Sequence, residues 1–553
     1  MSNNQIQTPG LLPTGGSMEG AAAGAPSVVT DPVTVVVQEA LLAEVQPLFG
    51  PASPQPELSG TGFTYRHNWG GRHGQLRLQL NWADVNPRSR VFVSIAEGNG
   101  FGPDAGKFIG GARYTVHNVA PRPGGVDIWV NIEWPSDILL YADYLVVNPP
   151  ATIRTVQVTV QRHSSVALSD ADADRILNDM GTVLQSGDSP ADTPTAVRFV
   201  RNGPVQVLPA NVAGTIQTEA QWNTLMSAGT GVKVVGAIQW CGGPGGSIIG
   251  CAPVGNPTVN LAVVRFTANQ EGILWVHEYG HNAGNPHRTD DTRAIMYPSI
   301  GPDHNVVNAT ESGRYLSGPV AVTGAVMAAA CSLGVAVQPP KDVREFVSQH
   351  WIQGIPYQAA SQYTEEDAKL LLEWLVKEPE KHEEFLPEIV TTLGFIGSEA
   401  AVKPLIDFVQ QPRATRAIFK AKHAALIHLG DLANKSGSKD ALEFLTKVAT
   451  DKEAAKSMAG PRAVIAAAEA AVAGVVAPTV EVLGAELAVS ATFGLALAGT
   501  AEAEGTIQRL ATAPDAFASV KEAAVEAAQI AGTVRARGQK EYYLMKCEGK
   551  QQP

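Results

Sequence analysis

The sequence predicts a multidomain protein built from three different parts: a β-sandwich, then an α+β domain with a mixed sheet, then an all-α helical array. The chain has 553 residues, enough for about three or four domains with separate cores. Short alternating strands are typical of its first part, and amphipathic helices of its last. Lysine usage changes between these parts, because residues 1–340 contain only Lys107 and Lys233, whereas residues 341–553 contain the other sixteen.

The β-sandwich is predicted at residues 59–150, after a leader. Residues 1–58 are rich in Gly, Pro, Ser and Ala and are predicted to be flexible. Apolar and polar residues then alternate in short runs separated by Gly, Pro and Asn turns, and strands are predicted at 76–80, 91–95, 113–119, 126–134 and 139–147. Period-two runs at this spacing favour an antiparallel sandwich of about ninety residues.

The α+β domain is predicted at residues 151–335. Ser169 is the expected N-cap of a helix that ends near residue 185, because acidic residues follow it and apolar residues recur at helical spacing. Strands are predicted at 152–160, 195–200, 232–240 and 259–266. A further helix follows the last of these strands.

The C-terminal part is predicted to be a linker at 336–360, a helical array at 361–540 and a tail at 541–553. Leu393-Gly394 and Leu429-Gly430 are 36 residues apart, a period typical of helical hairpins in which each glycine ends a helix. The stretch LGFIGSEAAVKPLI resembles HEAT-type repeats. A nonrepeating helical bundle is the alternative.

Charge and hydropathy exclude two classes of partner. The net charge is −12 and no block of Lys and Arg offers a phosphate-binding surface, so no nucleic acid is expected. Residues 463–499 are apolar, but Glu469, Glu481, Glu486 and Pro478 interrupt them. A packed pair of helices is therefore favoured over a membrane span.

The candidate metal-binding and catalytic residues lie in segment 271–300, EGILWVHEYGHNAGNPHRTDDTRAIMYPSI. His277 and His281 are four residues apart, so one face of a helix directs both imidazoles to one point. Neutral imidazole nitrogens are suitable zinc ligands. Gly284 can adopt positive φ and end the helix, which lets the chain bring back His287 as a third ligand. Three protein ligands with an open fourth position are typical of a catalytic zinc site.

The sequence HEYGHNAGNPH matches the pattern HExxHxxGxxH, and the segment resembles the metzincin metalloproteases. The resemblance implies a metzincin-type catalytic domain with one catalytic Zn²⁺ and Glu278 as general base. It also implies that Met296 forms the Met-turn beneath the ligands, at a spacing similar to that of the matrixin branch. Pro298, Ser299 and Ile300 would line the primed-side specificity pocket, although Ile300 stands where matrixins typically carry tyrosine.

The same resemblance implies an edge strand that pairs with extended substrate. Residues 247–253 are the candidate for it, and the residues expected to pair are Ser247, Ile248, Ile249 and Gly250.

Two cysteines flank the glycine-rich loop before this strand. Cys241 and Cys251 are predicted to form a disulfide, with two free thiols or an unrelated metal pair as the alternatives. No cysteine precedes Cys241, so the propeptide thiolate that blocks zinc in latent matrixins is not expected.

Two hypotheses for function follow. The first is a zinc endopeptidase that acts on protein or peptide substrates, with flanking domains for docking. The alternative is a helical-repeat scaffold that binds a protein partner on its array and carries a catalytically inactive zinc domain.

The N-terminus lacks the pattern of an export signal, whereas metzincins and disulfides favour an oxidising compartment. The expected location is therefore extracellular, by a leaderless route or as an injected effector, with the cytoplasm as the alternative.

Overall fold

The computed structural model describes residues 61–86, 89–100, 106–148, 153–187, 189, 192–320, 335–412, 415–460 and 475–547. The chain divides into two compact units, residues 1–149 and 150–553. Strand-rich sheets occupy the N-terminal half and helices the C-terminal region, which confirms the coarse form of the predicted fold. The predicted leader at 1–58 lies outside the described residues.

The first unit consists of strands. In chain order they are β1 (Thr61–Arg72), β2 (Gly74–Asn81), β3 (Arg90–Gly98), β4 (Lys107–Phe108), β5 (Arg113–Arg122), β6 (Gly125–Glu133) and β7 (Ile138–Asn148). All the pairings between them are antiparallel, in one sheet of order β1-β7-β3-β4 and one of order β2-β6-β5. Alternate residues of β2, β6 and β7 form a shared buried core that includes Leu78, Ile128 and Tyr144. Period-two patterning therefore gives each sheet one apolar face.

The second unit begins with alternating strands and helices. They are β8 (Arg154–Val158), β9 (Val160–Arg162), α1 (Asp170–Gln185), β10 (Val197–Arg201), β11 (Gln206–Val207), β12 (Thr215–Ile216), α2 (Glu219–Ser227), β13 (Gly231–Val235), β14 (Ala237–Ile238), β15 (Gly250–Cys251), β16 (Asn260–Val264), α3 (Glu271–Asn282), β17 (Ser299–Ile300) and α4 (Ala309–Ser317). The largest sheet has the order β11-β9-β13-β16-β15, in which only β15, at the edge, is antiparallel to its neighbour. Ser169 caps α1 through a reciprocal bond with Asp172, as predicted.

Helices dominate the rest of the unit. They are α5 (Val343–Val347), followed by strand β18 (His350–Trp351), then α6 (Tyr357–Ala360), α7 (Glu365–Lys377), α8 (Leu386–Ile396), α9 (Val402–Gln410), α10 (Arg416–Ser436), α11 (Lys439–Thr450), α12 (Lys452–Ala459), α13 (Val480–Ala498), α14 (Ala501–Thr512), α15 (Ala518–Arg537) and α16 (Gln539–Cys547). Helices α8, α10, α13 and α15 pack side by side in one layer, and α7, α9, α11 and α14 lie against them in a second.

Glycines place these helices close together, but in a different way from the prediction. Gly394 and Gly430 lie inside α8 and α10, whereas the C-caps of these helices are Gly397 and Gly437, both with positive φ. A Cβ at position 430 would overlap the backbone oxygen of Gly494 on α13. The internal glycine therefore allows a close approach between helices rather than a turn.

Residues 336–360, expected to be a linker, are folded. Helix α5, strand β18 and helix α6 lie in this segment, and Val343, Phe346 and Trp351 are completely buried. Its apolar side chains join the main core of the helical region, so the segment is a structural part of the second unit.

The start of the expected tail at 541–553 is also folded. Tyr542 and Tyr543 on α16 are buried, and the Tyr543 hydroxyl donates to Asp431 Oδ1 on α10 at 2.9 Å. Residues 548–553 lie outside the described part of the chain.

Side chains before residue 335 bond directly to helices beyond residue 475. Trp240 Nε1 donates to Glu526 Oε1 on α15 at 2.6 Å. Gln217 Nε2 donates to the backbone oxygen of Glu486 on α13 at 2.9 Å and lies 3.3 Å from Ser490 Oγ. The α+β region and the helical region thus share polar contacts within one compact unit.

Among the described helices, Val480–Ala498 alone is long and apolar enough to cross a membrane. Of its most apolar window, 72 % is buried within the protein. This burial is typical of a core helix in a helical bundle, and no membrane span is evident in the described part of the chain.

Candidate functional site

Helix α3 holds the histidine motif in the interior of the second unit. Every residue of α3 is buried. The carboxylate of Glu271, at the start of the helix, is bonded at 2.6 Å by Arg175 Nη2 and by Arg265 Nε. Two arginines therefore compensate a buried charge that would otherwise destabilise the fold. They also fix the first turn of α3 between α1 and β16.

His277 and His281 project toward the same point, as their spacing predicts. Their Nε2 atoms are 3.1 Å apart. Each ring bonds a backbone oxygen through Nδ1, His277 to Ile295 at 2.7 Å and His281 to Asn285 at 2.8 Å. Because a carbonyl only accepts, Nδ1 carries the proton in both rings and each Nε2 presents a lone pair.

Gly284 brings the third histidine to this point. Helix α3 ends at Asn282, and Gly284 has a φ of +85°, so the chain reverses there as predicted. His287 then returns, and the candidate ligand atoms of the three histidines all lie within 4.8 Å of one another.

The donor set is suited to a zinc ion. Two imidazole lone pairs that approach each other to 3.1 Å would repel, and a zinc ion held by His277 and His281 would replace that repulsion with coordination. Burial, together with the other histidines, lowers the pKa of His277 to about 3, and burial lowers that of His287 to about 4. The pKa of His281 is also lowered by burial. The rings are therefore neutral, which is the form that binds metal.

Glu278 lies beside the triad and is completely buried. Its Oε1 accepts a hydrogen bond from Gln353 Nε2 at 2.6 Å. Its Oε2 has no partner among the described residues. Burial raises the pKa of this carboxyl well above its usual value, so Glu278 holds a proton more readily than an exposed glutamate.

Met296 is completely buried beside α3. The Tyr315 hydroxyl lies 3.1 Å from its sulfur, and a side chain at Gly280 would overlap that sulfur. The predicted Met-turn residue thus packs against the helix between the two motif histidines.

The residues predicted to line a substrate pocket are paired with the chain itself. Ser299 and Ile300 form β17, which pairs with β18 in antiparallel fashion. The N–H of Ile352 donates to the backbone oxygen of Pro298 at 2.9 Å. The predicted pocket wall is therefore covered by residues 350–352.

The predicted edge strand is only partly as expected. Gly250 and Cys251 form the regular strand, which lies at the edge of the sheet. Ser247, Ile248 and Ile249 precede it as buried loop residues. The N–H groups of Ile249 and Gly250 point to the backbone oxygen of Ile352, at 2.8 and 3.2 Å. The outer side of this edge is thus already occupied.

Cys241 and Cys251 form a disulfide across ten positions of the chain, and it closes the glycine-rich loop next to β15. Cys331 and the side chain of Cys547 lie outside the described part of the structure.

Gln353 is the site residue that the sequence did not reveal. Besides its bond to Glu278, its Oε1 lies 2.8 Å from His287 Nε2. The side chain is 2 % exposed. It lies in the predicted linker, 66 positions after His287, and no local pattern marks it.

Comparison with known proteins does not identify a family for this chain. No family model matches the chain, and no curated protein is significantly similar to it.

Proposed function

We propose that the protein is a zinc endopeptidase that hydrolyses peptide bonds of protein substrates. The observation that carries the proposal is the convergence of three neutral imidazoles, two of them with opposed Nε2 lone pairs, beside the buried carboxyl of Glu278. Metzincin-type architecture for residues 151–335 and HEAT-like repeats in the helical region are parts of the same proposal.

When bound, zinc would act as a Lewis acid that makes water nucleophilic and polarises the scissile carbonyl. Glu278 Oε2 is the carboxyl oxygen that is free to accept the proton of this water. Glu278 would then pass this proton to the leaving amine. An extended peptide would be oriented by the N–H groups of Ile249 and Gly250 and by the carbonyl of Pro298, which are the groups that Ile352 now uses.

The test uses the full chain loaded with zinc. Since Gln353 fills the space beside Glu278, cleavage of an unfolded protein is measured for the natural chain and for Gln353→Ala, each with and without Glu278→Ala. Glu278→Ala is expected to abolish all cleavage while zinc content stays near one per chain. An exposed matched control, Glu443→Ala on α11, should change neither quantity.

Cleavage that persists after Glu278→Ala would contradict the proposal. So would a failure of both the natural chain and Gln353→Ala to cleave any unfolded substrate while they bind zinc.

The second candidate function is a helical-repeat scaffold with a catalytically inactive zinc domain. The observation that favours it is the contact of Gln353 with both Glu278 and His287, which closes the histidine site. This reading predicts one zinc ion per chain and no hydrolysis by any variant.

A further inference from the structure

A stretch of the second unit's own chain lies in the candidate cleft. Residues 350–353 run between the edge strand and the wall formed by residues 298–300. We propose that this stretch, called here the cleft segment, is an intramolecular occupant of the substrate position that keeps the site latent. The inference rests on the proposed function, since it concerns access to the same site.

The backbone of the cleft segment bonds to both walls at once. Ile352 donates its N–H to Pro298 on one side and presents its carbonyl to the N–H groups of Ile249 and Gly250 on the other. His350 and Trp351 pair with Ile300 and Ser299. An extended peptide that adds a strand to an exposed sheet edge makes the same kind of contact. The occupied groups are therefore those that a substrate backbone needs.

The side chain of Gln353 completes the block. Its amide spans from Glu278 Oε1, at 2.6 Å, to His287 Nε2, at 2.8 Å. The reacting water and the scissile carbonyl would have to lie between the general base and the histidines. The amide fills that position with a neutral group that carries no scissile bond in its side chain, so the segment can occupy the site without reacting there.

The fold holds the cleft segment from both ends. Trp351 is completely buried, and its indole N–H lies 3.3 Å from the backbone oxygen of Phe346 on α5. Gly354 follows with a φ of +92° and turns the chain toward α6. A new side chain at Gly250 would meet the Glu278 carboxylate, so the edge strand approaches the base closely. Packing of Trp351 and the turn at Gly354 therefore anchor the cleft segment.

The test measures access to the site without relying on catalysis. Acetohydroxamic acid, a small zinc-binding probe, is titrated by calorimetry into the zinc-loaded full chain and into Gln353→Ala. We expect the variant to bind the probe at least tenfold more tightly, because the amide no longer fills the space. Gln362→Ala, at an exposed glutamine after α6, is the matched control and should bind like the natural chain.

Equal probe affinity in the natural chain and Gln353→Ala, at equal zinc content, would overturn the inference. Tighter probe binding without any proteolysis would support latency and contradict the endopeptidase. Equal cleavage by the natural chain and by Gln353→Ala would contradict latency and support the endopeptidase.

A second measurement needs no variant. Hydrogen exchange of the natural chain should show slow exchange at the amides of Ile249 and Ile352, since both are donors within the occupied cleft. Exchange of both amides as fast as that of an unstructured peptide would show an open cleft and refute the occupant.

Discussion

Gln353 Nε2 donates a hydrogen bond to Glu278 Oε1 at 2.6 Å, although the two residues are 75 positions apart in the chain. One partner belongs to the histidine motif and the other to the cleft segment. The bond therefore links α3, which carries two candidate zinc ligands, to the segment that precedes the helical layers.

Metal removal should destabilise the protein. Two opposed Nε2 lone pairs at 3.1 Å repel each other when no cation lies between them. At free zinc a hundredfold above its dissociation constant, binding adds about 2.7 kcal/mol to the free energy of unfolding. We expect a chelator to lower the melting temperature of the natural chain, measured by calorimetry. His281→Ala should lose this response, and His73→Ala, at an exposed histidine of the first unit, should keep it. The same melting temperature with and without chelator in the natural chain would speak against the metal site.

Gly250→Ala should impair the site without removing the metal. The added Cβ would overlap Glu278 Oε1, so the carboxylate must move. In the Gln353→Ala background we expect cleavage to fall at least tenfold while zinc content is unchanged. Gly313→Ala on α4 is the matched control, since a Cβ there meets nothing within 4 Å. Unchanged cleavage after Gly250→Ala would show that the position of Glu278 is not critical.

Gly430→Ala should destabilise the helical layers. Its Cβ would overlap the carbonyl of Gly494, and overpacking of this kind costs about 1–3 kcal/mol. Gly532→Ala on α15 meets nothing within 4 Å and should stabilise instead, by up to about 1 kcal/mol, because alanine favours helix. Urea unfolding monitored by circular dichroism separates the two. A Gly430→Ala variant as stable as the parent would mean that α10 and α13 are not in close contact.

Glu486 should make stability depend on pH. Burial raises its pKa to about 7 from 4.5. His423, whose Nε2 lies 3.9 Å from Glu486 Oε2, stays neutral because burial lowers its pKa to about 3. The folded state thus binds a proton that the unfolded state releases. The contribution of Glu486 to the free energy of unfolding is fully present below about pH 4.5 and is lost as the pH rises through about 7. The slope is at most about 1.4 kcal/mol per pH unit.

Glu486→Gln should flatten this slope in urea unfolding at pH 5, 6, 7 and 8. Glu443→Gln, at an exposed glutamate, should retain it. If the natural chain and Glu486→Gln show the same pH dependence, Glu486 is not the group that titrates.

Local patterns were sufficient for the features that depend on near neighbours. The spacing of His277 and His281 placed both rings on one face of a helix, and Gly284 was identified as the point of chain reversal. The N-cap at Ser169 was found from the residues that follow it. Each of these features is determined within about ten residues of sequence, where helix geometry alone decides which side chains meet.

Contacts between distant segments could not be obtained in this way. Residues 336–360 are predicted to be a linker, yet Trp351 and Gln353 are almost fully buried. Their partners lie more than fifty positions earlier in the chain. Gly430 is predicted to end a helix because glycine often does, but its role depends on Gly494 in another helix. Such roles become apparent only when the packing is known.

The bonds from Trp240 to Glu526 and from Gln217 to α13 determine where the protein can be truncated. A fragment cut at residue 335, the boundary that the motif suggests, would leave Trp240 and Gln217 without these partners. It would also lack the segment that fills the cleft between Pro298 and Ile249. Inactivity of that fragment would therefore report on its folding rather than on its chemistry, and a truncation for activity studies should instead remove residues before 150.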